Sequence, residues 1–309
     1  MENSIGFLFE LSLDSKKIRT LNLFITWDVT PEIIEGQKIP NLYGLLFVTG
    51  LIIGYFIVKR MFKRENIEEV YLDKLVYFMI FATIIGARLG HVLFYGPYFD
   101  HIDTEGVFQR GYFSHPIDIL KVWEGGLASH GAAILIIIAL YYYSKKVINK
   151  PIWWILDRIV TPIAIAGCFI RLGNLVNSEI VGVPTDLPWA FSFPYYIDEA
   201  TRMYNDTPRH PAQLYEAICY LLIFVFLMFM FYKRHTYKKQ GHMFAWFLIT
   251  VWGARFSIEF IKMGQTERDA TWLLNTGQML SIPFIILGVY LLLRKQAPSE
   301  TVQIPAEGN

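Results

Sequence analysis

The sequence predicts an all-α integral membrane protein with about seven transmembrane helices. Of its 309 residues, 54% are hydrophobic and 16% aromatic, a composition too apolar for an ordinary soluble domain. The apolar residues recur in segments long enough, or nearly so, to cross a bilayer as helices. We place these segments at about residues 43–62, 75–95, 127–143, 152–170, 211–232, 242–262 and 277–293.

Basic residues follow every second segment and predict the orientation, because loops rich in Lys and Arg face the cytoplasm. The groups are Lys59-Arg60 with Lys63-Arg64, Lys145-Lys146 with Lys150, Lys233-Arg234 with Lys238-Lys239, and Arg294-Lys295. We therefore expect the amino terminus outside and the carboxyl terminus in the cytoplasm. Four basic residues of the leader, Lys16, Lys17, Arg19 and Lys38, oppose this bias, which holds when the other loops are summed.

Residues 1–295 are expected to form a single polytopic membrane domain. Two long outer connections, about 96–126 and 171–210, are rich in aromatic residues, Pro and Gly and are predicted to form small loop subdomains on the periplasmic side. Residues 296–309 read as a disordered tail. The amino end has acidic residues where a signal peptide carries positive charge, so we do not expect it to be cleaved.

Composition and spacing exclude several kinds of function. The net charge of +1 is spread in short groups, so nucleic-acid binding is not expected. Cys168 and Cys219 lie inside apolar runs and are interpreted as small buried residues. The histidines lack zinc-site spacing and no Gly-x-Ser-x-Gly turn occurs, so we expect neither metal, cofactor nor serine nucleophile.

With this orientation, the unusual polar residues fall in the outer half of the membrane, where a single site requires them to be. They are Arg88, His91, His130, Arg171, Asn174, Asn177, Glu179, His210, Gln213, Glu216, Arg255 and Glu259. Asp157 and Arg158 lie at the opposite end of their segment and are interpreted as structural.

Some members of this set have two interpretations. Arg255 and Glu259 are four residues apart, so they suit either an intrahelical ion pair or a site. Arg171 and Arg255 together suit a phosphate. Arg88 is interpreted as structural or as a headgroup contact, since an arginine near a helix end can snorkel.

The histidines are also open to two interpretations. His130, flanked by glycines, is either a structural residue or a general base, for which its ordinary pKa is suited. His210 precedes Pro211 and is interpreted as a helix-start residue.

Several motifs resemble the prolipoprotein diacylglyceryl transferases of bacterial inner membranes. The segment Arg171-Leu172-Gly173-Asn174-Leu175-Val176-Asn177-Ser178-Glu179-Ile180-Val181-Gly182 is similar to that family's signature and keeps its polar positions, while Ile170 and Leu175 replace a Gly and a Phe. Further matches are Tyr43-Gly44, Gly86 to Tyr95, Gly125 to Gly131, His210 to Glu216 and Arg255 to Phe260. Lys262 and His91 stand where the family often has Arg and Tyr.

The resemblance implies transfer of a diacylglyceryl group from phosphatidylglycerol to the lipobox cysteine of a prolipoprotein, at the outer leaflet of the inner membrane. In this interpretation Arg171 and Arg255 hold the phosphate and His130 takes the thiol proton. The remaining site residues that we expect to bind or support the lipid are Tyr43, Arg88, Asn174, Glu179, Gly182, His210, Gln213 and Glu259.

Two other classes stay open on the residues alone. A transporter or channel also carries charge within the membrane, but should place it near the midplane or on both sides. A structural or interaction protein would explain the long loops and needs no convergent site.

Overall fold

The computed structural model describes residues 24–34, 36, 40–102, 106–122, 125–196, 207–264 and 272–294. Most of the predicted leader and the whole predicted tail lie outside these residues. The described part contains seven α-helices: α1 (Leu42–Arg64), α2 (Glu69–Phe94), α3 (Ser129–Tyr142), α4 (Ile152–Val176), α5 (Ala212–Tyr232), α6 (His242–Ile258) and α7 (Thr276–Leu293). Six of them, all but α3, are long and apolar enough to cross a membrane, α6 together with the 3-10 turn that extends it to Ile261. The all-α membrane class is therefore confirmed.

The shorter elements connect or extend these helices. The helix α3 continues into a π-helical turn, Tyr143–Val147, and α6 continues into a 3-10 turn, Glu259–Ile261. Further 3-10 turns are Pro116–Leu120 and Thr236–Lys238. Four two-residue strands, β1 (Ile25–Thr26), β2 (His101–Ile102), β3 (Phe108–Gln109) and β4 (Phe191–Ser192), form a parallel β1–β4 pair and an antiparallel β2–β3 pair.

The helix α4 is longer than the hydrophobic pattern predicted. It reaches Val176 rather than residue 170, so Arg171 and Asn174 lie on its last turns and not in the following loop. The pattern failed here because it marks where apolar residues stop, whereas helical hydrogen bonding continues through polar residues. The backbone leaves the helix at Ser178 and Ile180, which both adopt left-handed conformations with φ of 54° and 59°.

By its internal contacts the chain divides into two compact units, Met1–Phe56 with Asp157–Asn309, and Ile57–Leu156. In the first unit, α6 and α7 pack as an antiparallel pair. Trp252 stacks on Phe284 with ring centroids 4.2 Å apart, and Gly288 lies against Leu248 and Ile249. The small residue at 288 lets the two backbones approach closely.

A buried carboxylate fixes the start of α6 in the same unit. Asp157, on α4, accepts hydrogen bonds from the backbone N–H groups of Gly241 at 2.7 Å and Phe244 at 2.9 Å. These are among the N–H groups that have no partner within their own helix. The sequence interpretation of Asp157 as structural agrees with this arrangement.

A small apolar cluster closes the β1–β4 end of the first unit. Leu175, Val181, Phe191 and Phe193 are buried there, and Trp27 packs against them and donates to the carbonyl of Leu175 at 2.9 Å. The cluster ties the end of α4 to the strands that follow it.

The second unit is centred on a close crossing of α2 and α3. A Cβ atom at Gly90 would lie 2.6 Å from the Cα atom of Gly131, and one at Gly86 would lie 2.7 Å from the Gly131 carbonyl oxygen. Only glycine permits this approach. The crossing fixes the first turn of α3, which carries His130.

Candidate functional site

A buried charge cluster lies at one end of the first unit and consists of Arg171, Glu216, Glu259 and Lys262. Arg171 Nε lies 2.8 Å from Oε2 of Glu216, whose side chain is fully buried. Lys262 Nζ lies 3.5 Å from Oε1 of Glu216 and 3.4 Å from Oε2 of Glu259. Two cations thus share two carboxylates in a region of low dielectric, where an unpaired charge would be costly.

The Arg171–Glu216 pair is an ionic contact rather than an aligned hydrogen bond. Within the described residues, Oε2 of Glu216 has no hydrogen-bond partner although Arg171 lies beside it. The arginine therefore keeps N–H directions that this carboxylate does not use. One of them reaches Oδ1 of Asn174 at 3.2 Å.

Asn174 links the cluster to the loop after α4. Its amide donates to Oε1 of Glu179 at 2.8 Å, and the Asn177 amide donates to the same oxygen at 3.1 Å. The Gln213 amide donates to the backbone carbonyl of Glu179. Asn174, Glu179 and Gln213, all predicted for the site, are therefore brought together, with the Glu179 carboxylate on the exposed side.

This loop holds a costly backbone conformation. Ile180 is β-branched and has φ of 59°, which β-branched residues rarely adopt. The hydrogen bonds to Glu179 hold the segment on one side, and on the other the Gly182 N–H donates to the His210 carbonyl at 2.9 Å. A Cβ atom at Gly182 would lie 2.6 Å from His210 Cβ, which explains why a glycine stands there.

His210 and Tyr43 support the same end of the unit. His210 Nδ1 lies 3.3 Å from the Tyr215 hydroxyl, and burial lowers the pKa of His210, which favours the neutral imidazole. The Tyr43 ring covers Gly173, where a Cβ atom would lie 2.6 Å from Cδ2 of the ring. Pro211 immediately precedes the first residue of α5, in agreement with the predicted role of His210 at a helix start.

Arg255, on the last turns of α6, faces the same region. The side chain of Tyr220 interacts electrostatically with both Arg171 and Arg255. The Arg255 guanidinium lies 5.8 Å from the centre of the Trp252 ring. Within the described residues its Nε is buried without a hydrogen-bond partner. Of the two sequence interpretations, the ion pair with Glu259 is not the one formed, because Glu259 pairs with Lys262.

Glu259 is enclosed by the first turn of α7. A Cβ atom at Gly277 would overlap the Glu259 carboxylate, and the Asn275 amide donates to the Glu259 carbonyl at 3.1 Å. The glycine therefore makes the space that the carboxylate occupies.

Sequence reasoning missed part of this arrangement. Glu216 was among the polar residues expected in the outer half, but its ion pairs were not predicted. Lys262 was noted only as a motif position, and Tyr220, Gly277 and Gln278 were not singled out. A helical signal was available for α5, because residues 213, 216 and 220 recur at the spacing of one helix face. The contact with α7 had no local signal, since it joins residues distant in the sequence.

The second unit holds Arg88, His91 and His130. Arg88 is 5% exposed and donates to four backbone carbonyl groups, those of Asp118, Ile119, Gly125 and Gly126. Its guanidinium also lies 5.1 Å from the Tyr112 ring centre. This geometry favours the structural interpretation of Arg88, as an anchor of the loop before α3.

His130 is exposed at the start of α3. Its ring lies 5.3 Å from the rings of Phe94 and Tyr95, measured between centroids. Within the described residues no hydrogen bond to its ring nitrogens is formed. No group of three or more His, Cys, Asp or Glu side chains in the described ranges could hold a metal ion.

Comparisons with known proteins all point to the same family. The sequence model of the prolipoprotein diacylglyceryl transferase family matches residues 33–294. The phosphatidylglycerol–prolipoprotein diacylglyceryl transferase of Porphyromonas gingivalis is 42% identical over 89% of this chain and 96% of its own length. The proteins of that name from Tolumonas auensis and Chloroherpeton thalassium are 41% and 40% identical, over 86% and 90% of this chain and 96% and 97% of their own lengths. The chain belongs to the prolipoprotein diacylglyceryl transferase family.

Proposed function

We propose that this chain transfers the diacylglyceryl group of phosphatidylglycerol to the lipobox cysteine of prolipoproteins, a step of lipoprotein maturation. The observation that carries the proposal is the match to relatives of that name over nearly their whole length. The family model matches residues 33–294, a range that includes every member of the charge cluster. In this reaction a C–S bond forms on the carbon of the diacylglyceryl group that carries the phosphate oxygen. The C–O bond to phosphate breaks, and glycerol phosphate leaves with the bonding electrons.

Arg171 and Arg255 hold the lipid phosphate in this proposal. The leaving group gains negative charge as the C–O bond breaks, and preorganised cations stabilise such charge best in a site of low dielectric. Arg171 has N–H directions that Glu216 does not use, and Arg255 Nε has no partner among the described residues. Both observations support a ligand with several anionic oxygens.

His130 takes the thiol proton. The thiolate is the reactive form of cysteine, and an imidazole near neutral pH is suited to generate it. This role is supported by the chemistry of the residue and by its exposed position at the start of α3.

The remaining site residues orient these groups. Asn174 and Glu179 hold the Arg171 side chain and the loop after α4, Tyr43 covers Gly173, and Glu259 balances Lys262. His210, Gln213 and Gly182 fix the backbone between the loop and α5. Arg88 acts through the loop it anchors.

We also propose the finer topology. Here α3 with its π-helical turn makes a seventh span: its 14 α-helical residues rise about 21 Å and the turn extends it toward the roughly 30 Å of hydrocarbon. The distribution of Lys and Arg supports an amino terminus outside and a carboxyl terminus in the cytoplasm. The chain would then lie in the bacterial inner membrane, with the site at the outer leaflet.

The decisive experiment incubates the purified protein with a lipobox peptide and with phosphatidylglycerol labelled in its diacylglyceryl group. Labelled peptide is expected from the wild type, and none from a peptide with Ser in place of Cys. His130→Gln, Arg171→Ala and Arg255→Ala should each lose at least a hundredfold in kcat/KM, about the effect of removing one charge-stabilising group. Full activity in properly inserted variants would defeat the assigned roles, and an inactive wild type would defeat the function.

A further inference from the structure

A buried side-chain amide at the start of α7 lacks a partner for its donor. Gln278 is 2% exposed, and within the described residues its Nε2 makes no hydrogen bond. Its Oε1 is occupied, because it accepts from the backbone N–H of Asn275 at 3.2 Å. A buried amide N–H without a partner is costly, so a native protein usually supplies one.

The other half of this capping arrangement is complete. The side chain of Asn275 accepts from the backbone N–H of Gln278 at 2.9 Å, which makes a reciprocal capping box at the start of α7. Capping therefore explains the acceptor of Gln278. It leaves the donor unexplained.

The register of α6 and α7 places Gln278 toward the same end of the helix pair as Arg255, and further along it. Trp252 stacks on Phe284 and Glu259 lies against Gly277, so in this antiparallel pair Arg255 is level with Ser281. Gln278 lies one turn beyond that level, toward the start of α7. The Nε of Arg255 is also buried without a partner among the described residues. Two buried donors without partners among the described residues thus occur on neighbouring helices toward the same end of the pair.

The direction from Arg255 to Gln278 matches the shape of a lipid head group. Acyl chains extend toward the middle of a spanning helix, and the part of a head group beyond its phosphate extends toward the helix end. If Arg255 holds the phosphate, Gln278 stands where the glycerol hydroxyls follow. A neutral amide suits a neutral hydroxyl, as it brings no second charge beside the Glu259–Lys262 pair.

We propose that Gln278 is a specificity residue that donates a hydrogen bond to a hydroxyl oxygen of the phosphatidylglycerol head group. This inference rests on the proposed function and adds to it the recognition of the polyol. Loss of this hydrogen bond should slow transfer only from a lipid whose head group carries hydroxyls.

The test compares phosphatidylglycerol with phosphatidylpropanol, which has the same phosphate and the same charge but no head-group hydroxyl. The measured quantity is kcat/KM for phosphatidylglycerol divided by kcat/KM for phosphatidylpropanol, with the diacylglyceryl group labelled and a lipobox peptide as acceptor. Gln278→Met removes the amide and should lower the wild-type ratio about three- to tenfold, the usual effect of one hydrogen bond. Asn275→Ala is the matched control, because it removes the cap but keeps the amide, and it should retain the ratio.

Each outcome decides the inference. It is overturned if Gln278→Met keeps the wild-type ratio, or if Asn275→Ala lowers the ratio equally, since the effect would then belong to the helix cap. If Gln278→Met does not insert into the membrane, Gln278→Asn is tested instead. It shortens the side chain by one methylene, and its ratio of kcat/KM should lie below that of the wild type. A wild type that transfers from neither lipid refutes the proposed function, whereas an active wild type with unchanged variants refutes only the role of Gln278.

Discussion

Arg171 Nε and Oε2 of Glu216 lie 2.8 Å apart at a carboxylate that solvent does not reach. Lys262 approaches the other oxygen of the same carboxylate at 3.5 Å. Glu216 therefore balances two cations that come from different parts of the first unit. For the head-group binding that we propose, the cations must be fixed before the lipid arrives, and this carboxylate would fix them.

Replacing Glu216 by Gln should destabilise the protein by about 3–5 kcal/mol, because it leaves two buried cations with one carboxylate fewer. Thermal unfolding in detergent micelles measures the effect. The control is Glu68→Gln, at an exposed position, which should be neutral.

The double variant Glu216→Gln with Lys262→Met tests whether the charges act as a unit. The second substitution removes a cation that the first left unbalanced. The double variant should therefore lose about 1 kcal/mol less unfolding free energy than the sum of the losses in the two single variants. Strictly additive effects would show that Glu216 and Lys262 are not coupled.

Arg88→Lys should loosen the loop before α3. An ammonium group cannot reach the four carbonyls that the guanidinium now binds, and each lost bond costs about 1 kcal/mol. Hydrogen exchange measured by mass spectrometry should show faster exchange in residues 115–128, while α5 to α7 stay protected. Unchanged exchange in the loop would contradict the anchoring role.

Two glycine substitutions separate close approach from helix propensity. Gly90→Ala should destabilise the protein by about 1–3 kcal/mol, because its Cβ would press on Gly131. Gly253→Ala, also within a helix, meets nothing within 4 Å and should be neutral or stabilising by up to about 1 kcal/mol. Chemical unfolding monitored by tryptophan fluorescence compares them. An equal effect of both would show that the α2–α3 crossing tolerates a methyl group.

The loop that follows α2 and contains Asp100 and Gly111 should open in acid. The Gly111 N–H, and then His115, hold the pKa of Asp100 below its ordinary value of 3.8. A carboxyl group with a lowered folded-state pKa stabilises the fold above its unfolded pKa. That contribution is lost as pH falls from about 3.8 through the folded value.

Cleavage of residues 95–115 by pepsin, in protein held in nanodiscs, measures this opening. Because pepsin itself becomes more active in acid, the cleavage rate is divided at each pH by that of an unstructured peptide. This relative rate should rise below about pH 3.8 in the wild type. Asp100→Asn, which keeps an oxygen for Gly111 but carries no charge, should flatten this dependence. A wild-type profile that is already flat would exclude Asp100 as its source.

The helices were predictable because the bilayer imposes a simple rule on sequence. An apolar segment of sufficient length must satisfy its backbone internally, so the predicted and observed segments agree closely at α5 and α7. The prediction erred where that rule ends, at Arg171 on the last turns of α4, since hydropathy stops before the hydrogen-bonded helix does.

The sequence by itself determined the membrane class, the helical segments and most polar residues of the site, because composition, spacing and motif are properties of the chain. Only the tertiary structure decided which charges meet. It paired Glu259 with Lys262 rather than Arg255, committed Arg88 to backbone carbonyls, and brought Gly277 against the Glu259 carboxylate. These choices depend on contacts between residues far apart in the chain, where packing and desolvation, not local pattern, set the partners.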